Sequence, residues 1–202
     1  HLLRRQRQMC IRDRLNTPSG KIEIFSETIN SFGYDDCPGH PVWLEPCEWL
    51  GQKDKKYQLH LISNQPKDKL HSQLDHGKFS RSNKVNGREP VFINKKDAIK
   101  RNLKDKDLVQ VYNDRGSCYA SVVIDNNLRS GVILISTGAW YDPIDPSINN
   151  SPCKNGNPNT LTPDKGTSSL AQGPIAHTCM VEIRLAEGEI PSVTAYDPPR
   201  FI

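Results

Sequence analysis

Short runs of alternating apolar residues, each bounded by Gly, Pro, Asn or Asp, carry most of the pattern along this chain. Such runs are the signature of strands closed by turns. After the turn signal Thr17-Pro18-Ser19-Gly20, residues 21–25 alternate and predict a short strand, with a helical turn at 26–29. Residues 57–62 predict the next strand, and the apolar triplet 91–93 another. Asn94 is placed to cap a helix over 95–102, with Asp97 in its first turn, where negative charge suits the helix dipole. Ala98 and Ile99 are expected to face inward. A turn at 104–107 leads into strands at 108–112 and 117–124, joined by the hairpin signal Asn113-Asp114-Arg115-Gly116. Cys118, Ala120, Val122 and Ile124 share one face of the second. The continuous apolar run 132–135 predicts a buried strand. The last strand is expected over 178–185, with Cys179, Val181, Ile183 and Leu185 on its apolar face and Met180, Glu182 and Arg184 opposite. Residues 33–49, 75–89 and 140–177 read as loops, the first anchored by aromatics such as Tyr34, Trp43 and Trp49. The pattern as a whole is mainly β with short helices, a β-barrel of mixed topology with long ordered loops.

Composition sharpens this picture. The 202 residues allow one domain, or one with an appendage, and a hydrophobic content of 35% is low for a self-sufficient globule. A ligand or neighbouring domain is therefore expected to supply part of the order. The net charge of +4 resides in residues 1–14, where Arg4, Arg5, Arg7, Arg12 and Arg14 face only Asp13. The remainder holds 22 basic residues of the total 27 and 22 acidic of the total 23, so it is neutral. A small basic barrel that binds nucleic acid would need Lys and Arg interleaved with exposed aromatics on its strands, and this body is neutral with aliphatic strands. Residues 1–14 lack an apolar period and resemble a translated sequencing-adaptor remnant, so they are read as foreign; a basic arm is the alternative. The natural chain is then expected to start near Leu15 in mid-protein. No apolar run approaches a membrane span and no signal peptide is visible. Apart from Cys10, five cysteines are scattered without a CxxC pair or zinc spacing, which reads as reduced thiols and leans toward the cytoplasm.

Three polar stretches carry the candidate chemistry. Residues 63–74 leave the strand at 57–62 and offer Asn64, Gln65, His71, Ser72 and Gln73, neutral groups that both donate and accept. Such a set suits reading the edge of a flat heterocycle; a carboxylate pair or an activated nucleophile would look different. The bland alternative is a solvated loop with a capping serine. Asn155-Gly156-Asn157-Pro158-Asn159-Thr160 repeats the donor–acceptor pairing beside a glycine that permits close approach, or is a plain Asx-turn loop. Gly166-Thr167-Ser168-Ser169-Leu170-Ala171-Gln172-Gly173 could line a phosphate by backbone N–H groups, although no phosphate-loop motif is present. Arg115 is expected to shape its hairpin or pair with an acid, and His40, His60 and His76 show no metal-ligand spacing.

These stretches occur in order with Thr17-Pro18-Ser19-Gly20-Lys21-Ile22-Glu23, Gly39-His40-Pro41, Leu70-His71-Ser72-Gln73-Leu74 and Ala139-Trp140-Tyr141-Asp142-Pro143. Over roughly residues 16–185 the set closely resembles the C-terminal molybdopterin-dinucleotide-binding domain of the dimethyl-sulfoxide reductase family. The nearest branch is that of the biotin sulfoxide, trimethylamine N-oxide and dimethyl-sulfoxide reductases. The resemblance implies a six-stranded double-psi β-barrel over a Mo-bis(molybdopterin guanine dinucleotide) cofactor. It divides the chain into 1–14, a foreign segment; 15–56, the end of a preceding catalytic region; 57–187, the barrel; and 188–202, a tail. It places Asn64, Gln65, Pro66 and Lys67 in a first cofactor-contact stretch, His71, Ser72 and Gln73 just beyond, and Asn157 and Asn159 in a second. His177 stands where relatives usually carry Gln. The family's metal ligand, a serine, lies upstream, so the resemblance implies neither a catalytic residue nor a metal ligand here. It implies a partner, the N-terminal part of the same polypeptide, and an S-oxide or N-oxide substrate, with the electron donor open. An upstream twin-arginine signal would indicate a periplasmic enzyme. An orphan β-barrel binding or structural module is the rival reading, and a nucleic-acid-binding barrel the more distant one.

Overall fold

A computed structural model describes residues 14–198. The reading of residues 1–14 as foreign falls, Arg14 apart, outside the described residues. The described chain divides into two compact units, residues 14–45 with 166–173, and residues 46–165 with 174–198.

The first unit is almost all loop. Helix α1, Glu27–Asn30, begins at Ser26, whose side chain accepts from the Ile29 amide (3.3 Å). The strand expected at 21–25 does not form: those residues are bends and irregular backbone, with Ile22 85% and Ile24 80% exposed. The alternation is present, but a strand needs a neighbour to satisfy its backbone. Ser169 donates from its amide (2.9 Å) and hydroxyl (3.1 Å) to Asp36.

The second unit holds the barrel. Its elements are β1 (Leu59–Ile62), α2 (Lys78–Ser82), β2 (Pro90–Ile93), α3 (Lys95–Lys100), β3 (Leu108–Tyr112), β4 (Ser117–Ile124), β5 (Val132–Leu134), a 3-10 turn at Pro158–Thr160, and β6 (Met180–Leu185). The strands close in the order β1-β5-β2-β4-β3-β6. Parallel pairs join β1 to β5 and β2 to β4, and the other four pairings are antiparallel. The expected mainly-β, six-stranded barrel is therefore present. Closure removes the sheet edges and lets inward side chains fill a small interior. Leu61, Val91, Ile93, Val109, Val111, Val122, Ile133 and Val181 are fully buried there. Leu61→Ala is expected to lower unfolding free energy by about 2–5 kcal/mol, the usual cost of a large core truncation, measured by urea denaturation.

Several local expectations need correction. The segment 75–89, read as loop, contains α2. In α3, Asn94 caps as expected, accepting from the Lys96 amide (2.8 Å), but Ala98 is buried while Ile99 is exposed. Asp97 is itself buried and accepts from the Ser130 hydroxyl (3.0 Å) and Gly131 amide (2.7 Å), so it ties the helix to the entrance of β5. On β4 the buried positions include Ser117, Tyr119 and Ser121, so both faces are covered. In β6, Met180 is buried and Leu185 exposed.

Candidate functional site

Parallel pairing sets the exits of β1 and β5 side by side, and the two following loops are stitched together. The Thr137 amide donates to the Asn64 carbonyl (2.9 Å), and the Ser136 hydroxyl to Asn64 Oδ1 (3.1 Å). Asn64 Nδ2 donates to the Gln65 carbonyl (3.2 Å). Beside this seam lies a cavity of about 350 Å³ lined by Asn64, Gln65 and Lys67 together with Glu89, Phe92 and Ser136. Gln65 and Lys67 are exposed and Asn64 is half-buried; Pro66, between them, is half-buried and does not line the cavity.

His71, Ser72 and Gln73 lie on an exposed, tightly turned segment. His71 and Leu74 have φ of 51° and 65°, and the Gln73 amide closes on the Leu70 carbonyl (2.9 Å). Trp140 Nε1 donates to the Ser72 carbonyl (2.8 Å), which fixes the turn from outside. Asn157 caps the 3-10 turn, its side chain accepting from the Asn159 amide (2.9 Å). Asn157 and Asn159 line a second cavity of about 380 Å³ with Arg115, Gly116, Tyr141 and Thr160. Of the expected residues, Asn64, Gln65 and Lys67 thus line one cavity and Asn157 and Asn159 another, while His71, Ser72 and Gln73 line neither. His177 joins neither: it is exposed, and its carbonyl accepts from His60 Nε2 (2.5 Å). The 166–173 stretch belongs to the first unit; two of its amides close on it, Thr167 N to Gly173 O (2.8 Å) and Ser168 N to Ala171 O (3.0 Å), and the Ser169 amide is taken by Asp36.

Behind the first loop is a feature absent from the sequence reading. Lys69, Asp75, Lys84 and Glu89 form a closed ring of alternating charge with almost no side-chain exposure. Lys69 meets Asp75 at 2.7 Å and also meets Glu89, while Lys84 meets Asp75 at 3.1 Å and Glu89 at 3.0 Å. The other Asp75 oxygen accepts from the Trp140 amide (3.0 Å), the Tyr196 hydroxyl (2.7 Å) and Asn155 Nδ2 (3.4 Å). Burial pushes the Asp75 carboxyl up, but Lys69, the Trp140 amide, Lys84 and Tyr196 together hold it down at about 2. Buried charges persist only when paired and hydrogen-bonded in this way. Through Asp75 and Asn155 the ring ties the 63–75 loop to the 155–160 loop.

Residues 59–180 match the family described as the Molydopterin dinucleotide binding domain. The chain belongs to this family. It is 44% identical over 189 residues to a trimethylamine-N-oxide reductase of Haemophilus influenzae, covering 93% of this chain and 23% of that protein. It is 43% identical over 186 residues to a dimethyl sulfoxide/trimethylamine N-oxide reductase of Cereibacter sphaeroides, covering 92% and 23%. With trimethylamine-N-oxide reductase 1 of Escherichia coli K12 the identity is 48% over 183 residues, covering 89% and 22%. The chain thus spans less than a quarter of the length of these relatives. Acetylene hydratase from Pelobacter acetylenicus shares the fold at a TM-score of 0.66 and 19% identity, over 84% of this chain and 24% of that one.

The donor set suits the ligand in the family's description. Amides at Asn64, Gln65 and Asn159 can pair with a heterocycle edge, and the Lys67 ammonium suits a phosphate. Arg115, by contrast, is already used. Its guanidinium makes a two-point contact with Glu48 (2.5 and 3.0 Å) and donates to the Leu161 carbonyl (2.6 Å), so the acid-pairing expectation holds. Glu48 also accepts from the Met180 amide (2.7 Å), anchoring the start of β6. The three cysteines of the barrel unit's interior are poor nucleophiles. Cys118 and Cys153 are fully buried, and burial pushes the Cys179 thiol up to about 11 despite Arg115, which keeps it protonated at neutral pH. Among the described residues no group of three or more His, Cys, Asp or Glu could hold a metal ion, and no helix is long and apolar enough to cross a membrane.

Proposed function

We propose that this chain is the cofactor-holding part of a molybdenum oxidoreductase that reduces S-oxides or N-oxides, with Mo-bis(molybdopterin guanine dinucleotide) as its cofactor. The observation that carries the reading is the likeness to three reductases over about nine-tenths of the chain, joined to two polar cavities lined by amides. The bound cofactor supplies the oxygen-atom transfer, and the protein supplies binding and orientation. In this reading Asn64, Gln65 and Lys67 hold one part of the dinucleotide and Asn157 and Asn159 another. The 71–73 turn covers it. The names of the relatives favour trimethylamine N-oxide and dimethyl sulfoxide as substrates over biotin sulfoxide or methionine sulfoxide. The upstream part of the same polypeptide is the proposed partner. Five free thiols among the described residues lean this reading toward the cytoplasm, with a periplasmic enzyme as the alternative.

The 202-residue chain alone is expected to bind isolated molybdopterin guanine dinucleotide but not to reduce either oxide with a chemical electron donor. Gln65→Ala with Lys67→Ala should weaken binding about tenfold or more, the loss of one or two hydrogen bonds to a charged ligand, read by fluorescence titration. Undetectable binding by the unmodified chain would overturn the reading of these cavities.

A further inference from the structure

The segment after β6 has no regular structure, yet several of its groups are fastened to buried polar residues. Pro191 accepts at its carbonyl from Arg88 Nη2 (2.8 Å). Asp142 receives the Thr194 amide (2.7 Å), the Thr194 hydroxyl (2.8 Å) and the Ala195 amide (3.1 Å), while Lys154 donates to Thr194 Oγ1 (2.8 Å). Tyr196 goes furthest. Its hydroxyl lies 2.7 Å from Asp75 Oδ2 and 3.1 Å from Asn155 Oδ1. Its ring is flanked by the Arg81 guanidinium at 5.2 Å, the Lys84 ammonium at 5.7 Å and the Trp140 ring at 5.9 Å. Burial and the adjacent Asp75 carboxylate both push the phenol above its ordinary range, so it stays a donor.

The receiving groups are Arg88, Asp142, Lys154, Asp75 and Asn155, exposed by 6% or less. Asp75 closes the 63–75 loop, Asn155 opens the 155–160 loop, and the Trp140 indole holds Ser72 between them. Tyr196, which lies beyond the residues matched by the family, is therefore a single side chain touching the supports of both. A hydroxyl set against a buried carboxylate couples this segment to the groups that carboxylate holds. We infer that Tyr196 and the tail around it are a positioning strap that sets the two dinucleotide-holding loops against each other. This rests on the proposed assignment of those loops.

The test compares the 202-residue chain with Tyr196→Ala, Tyr196→Phe and Asp142→Asn. Asp142→Asn slackens the Thr194 and Ala195 anchors, together with the Lys154 ion pair (3.2 Å) one residue before Asn155, and leaves Tyr196 and Asp75 unaltered. Two readouts are taken: hydrogen–deuterium exchange, and affinity for isolated molybdopterin guanine dinucleotide. Tyr196→Ala should speed exchange at Gln73, Trp140 and Glu89 about tenfold, with β3 and β4 amides unchanged, as expected of a local opening. Tyr196→Phe keeps the ring and should fall between Ala and the unmodified chain, and Asp142→Asn should move the same amides. Affinity should fall in the same order. Faster loop exchange in a chain that never binds the dinucleotide would support the strap and sink the cofactor assignment. Unchanged loop exchange in both Tyr196→Ala and Asp142→Asn overturns the strap. So does an unchanged affinity alongside loosened loops in a chain that binds.

Discussion

Lys69→Met is expected to destabilise the barrel unit by about 3–5 kcal/mol, the range found when one partner of a buried ion pair is removed. The side chain has no exposure, and neither has Asp75, one of its two carboxylate partners. Methionine fills much the same volume, so packing changes little. What remains is Lys84 facing two carboxylates, a buried surplus of one negative charge that water cannot reach. The double variant Lys69→Met with Glu89→Gln restores neutrality around the Lys84–Asp75 pair and should recover more than half of the loss. Urea unfolding of the three chains measures both steps, and a Lys69→Met loss under about 1 kcal/mol would place the ring in the class of solvated surface pairs. The same ring gives a pH dependence with a definite sign. Asp75 is held at about 2 in the folded chain against an ordinary 3.8. Its contribution is therefore complete above about pH 4 and is lost as the pH falls toward 2. In the Lys69→Met chain that acid-side loss should shrink, because the group that chiefly holds the carboxyl down is gone.

The ring also shows where sequence reasoning stops. The hairpin at Asn113–Gly116, the Asn94 cap and the alternating strands were legible because each is settled within a few residues. Barrel closure followed from many short strands that share buried faces. The 21–25 strand failed for the opposite reason. Ile22 and Ile24 have the right period, but periodicity names a face and not the neighbour that must cover it. Ile99 was misplaced because α3 is only six residues long, and a period of 3.6 is hardly sampled over that length. The 63–74 loop was legible as a polar stretch leaving a strand, and the structure sets Asn64, Gln65 and Lys67 of it on one cavity. Its supports were not legible. Lys69 and Asp75 sit among exposed polar residues, and Lys84 and Glu89 lie in a stretch that reads as solvated loop. Only the folded chain brings four such charges out of water, and Tyr196 arrives from 121 residues beyond Asp75.

Gly138→Ala should be the most damaging single methyl group in the barrel unit. The residue has φ of +95°, and a Cβ there would stand 1.9 Å from the His71 carbonyl oxygen, 2.5 Å from its carbon and 3.1 Å from the Ser72 amide. All three obstacles are backbone, so no side chain can rotate away. The 71–73 turn must move outward by more than 1 Å to reach an ordinary contact of 3.4 Å or more. Backbone strain at positive φ contributes about 1 kcal/mol and overpacking about 1–3 more. Gly87→Ala separates the two effects. It has φ of +73° with nothing within 4 Å of its Cβ, so it should show the backbone strain alone. The displacement has its own reporter in the Trp140 indole N–H, which donates to the Ser72 carbonyl (2.8 Å) and should shift in the NMR spectrum of Gly138→Ala but not of Gly87→Ala. Dinucleotide binding should follow the indole signal. If the turn holds the ligand as proposed, moving it by this distance weakens binding even where urea shows the barrel intact. Tight binding with a displaced indole would leave Asn64, Gln65 and Lys67 to hold the ligand without the turn.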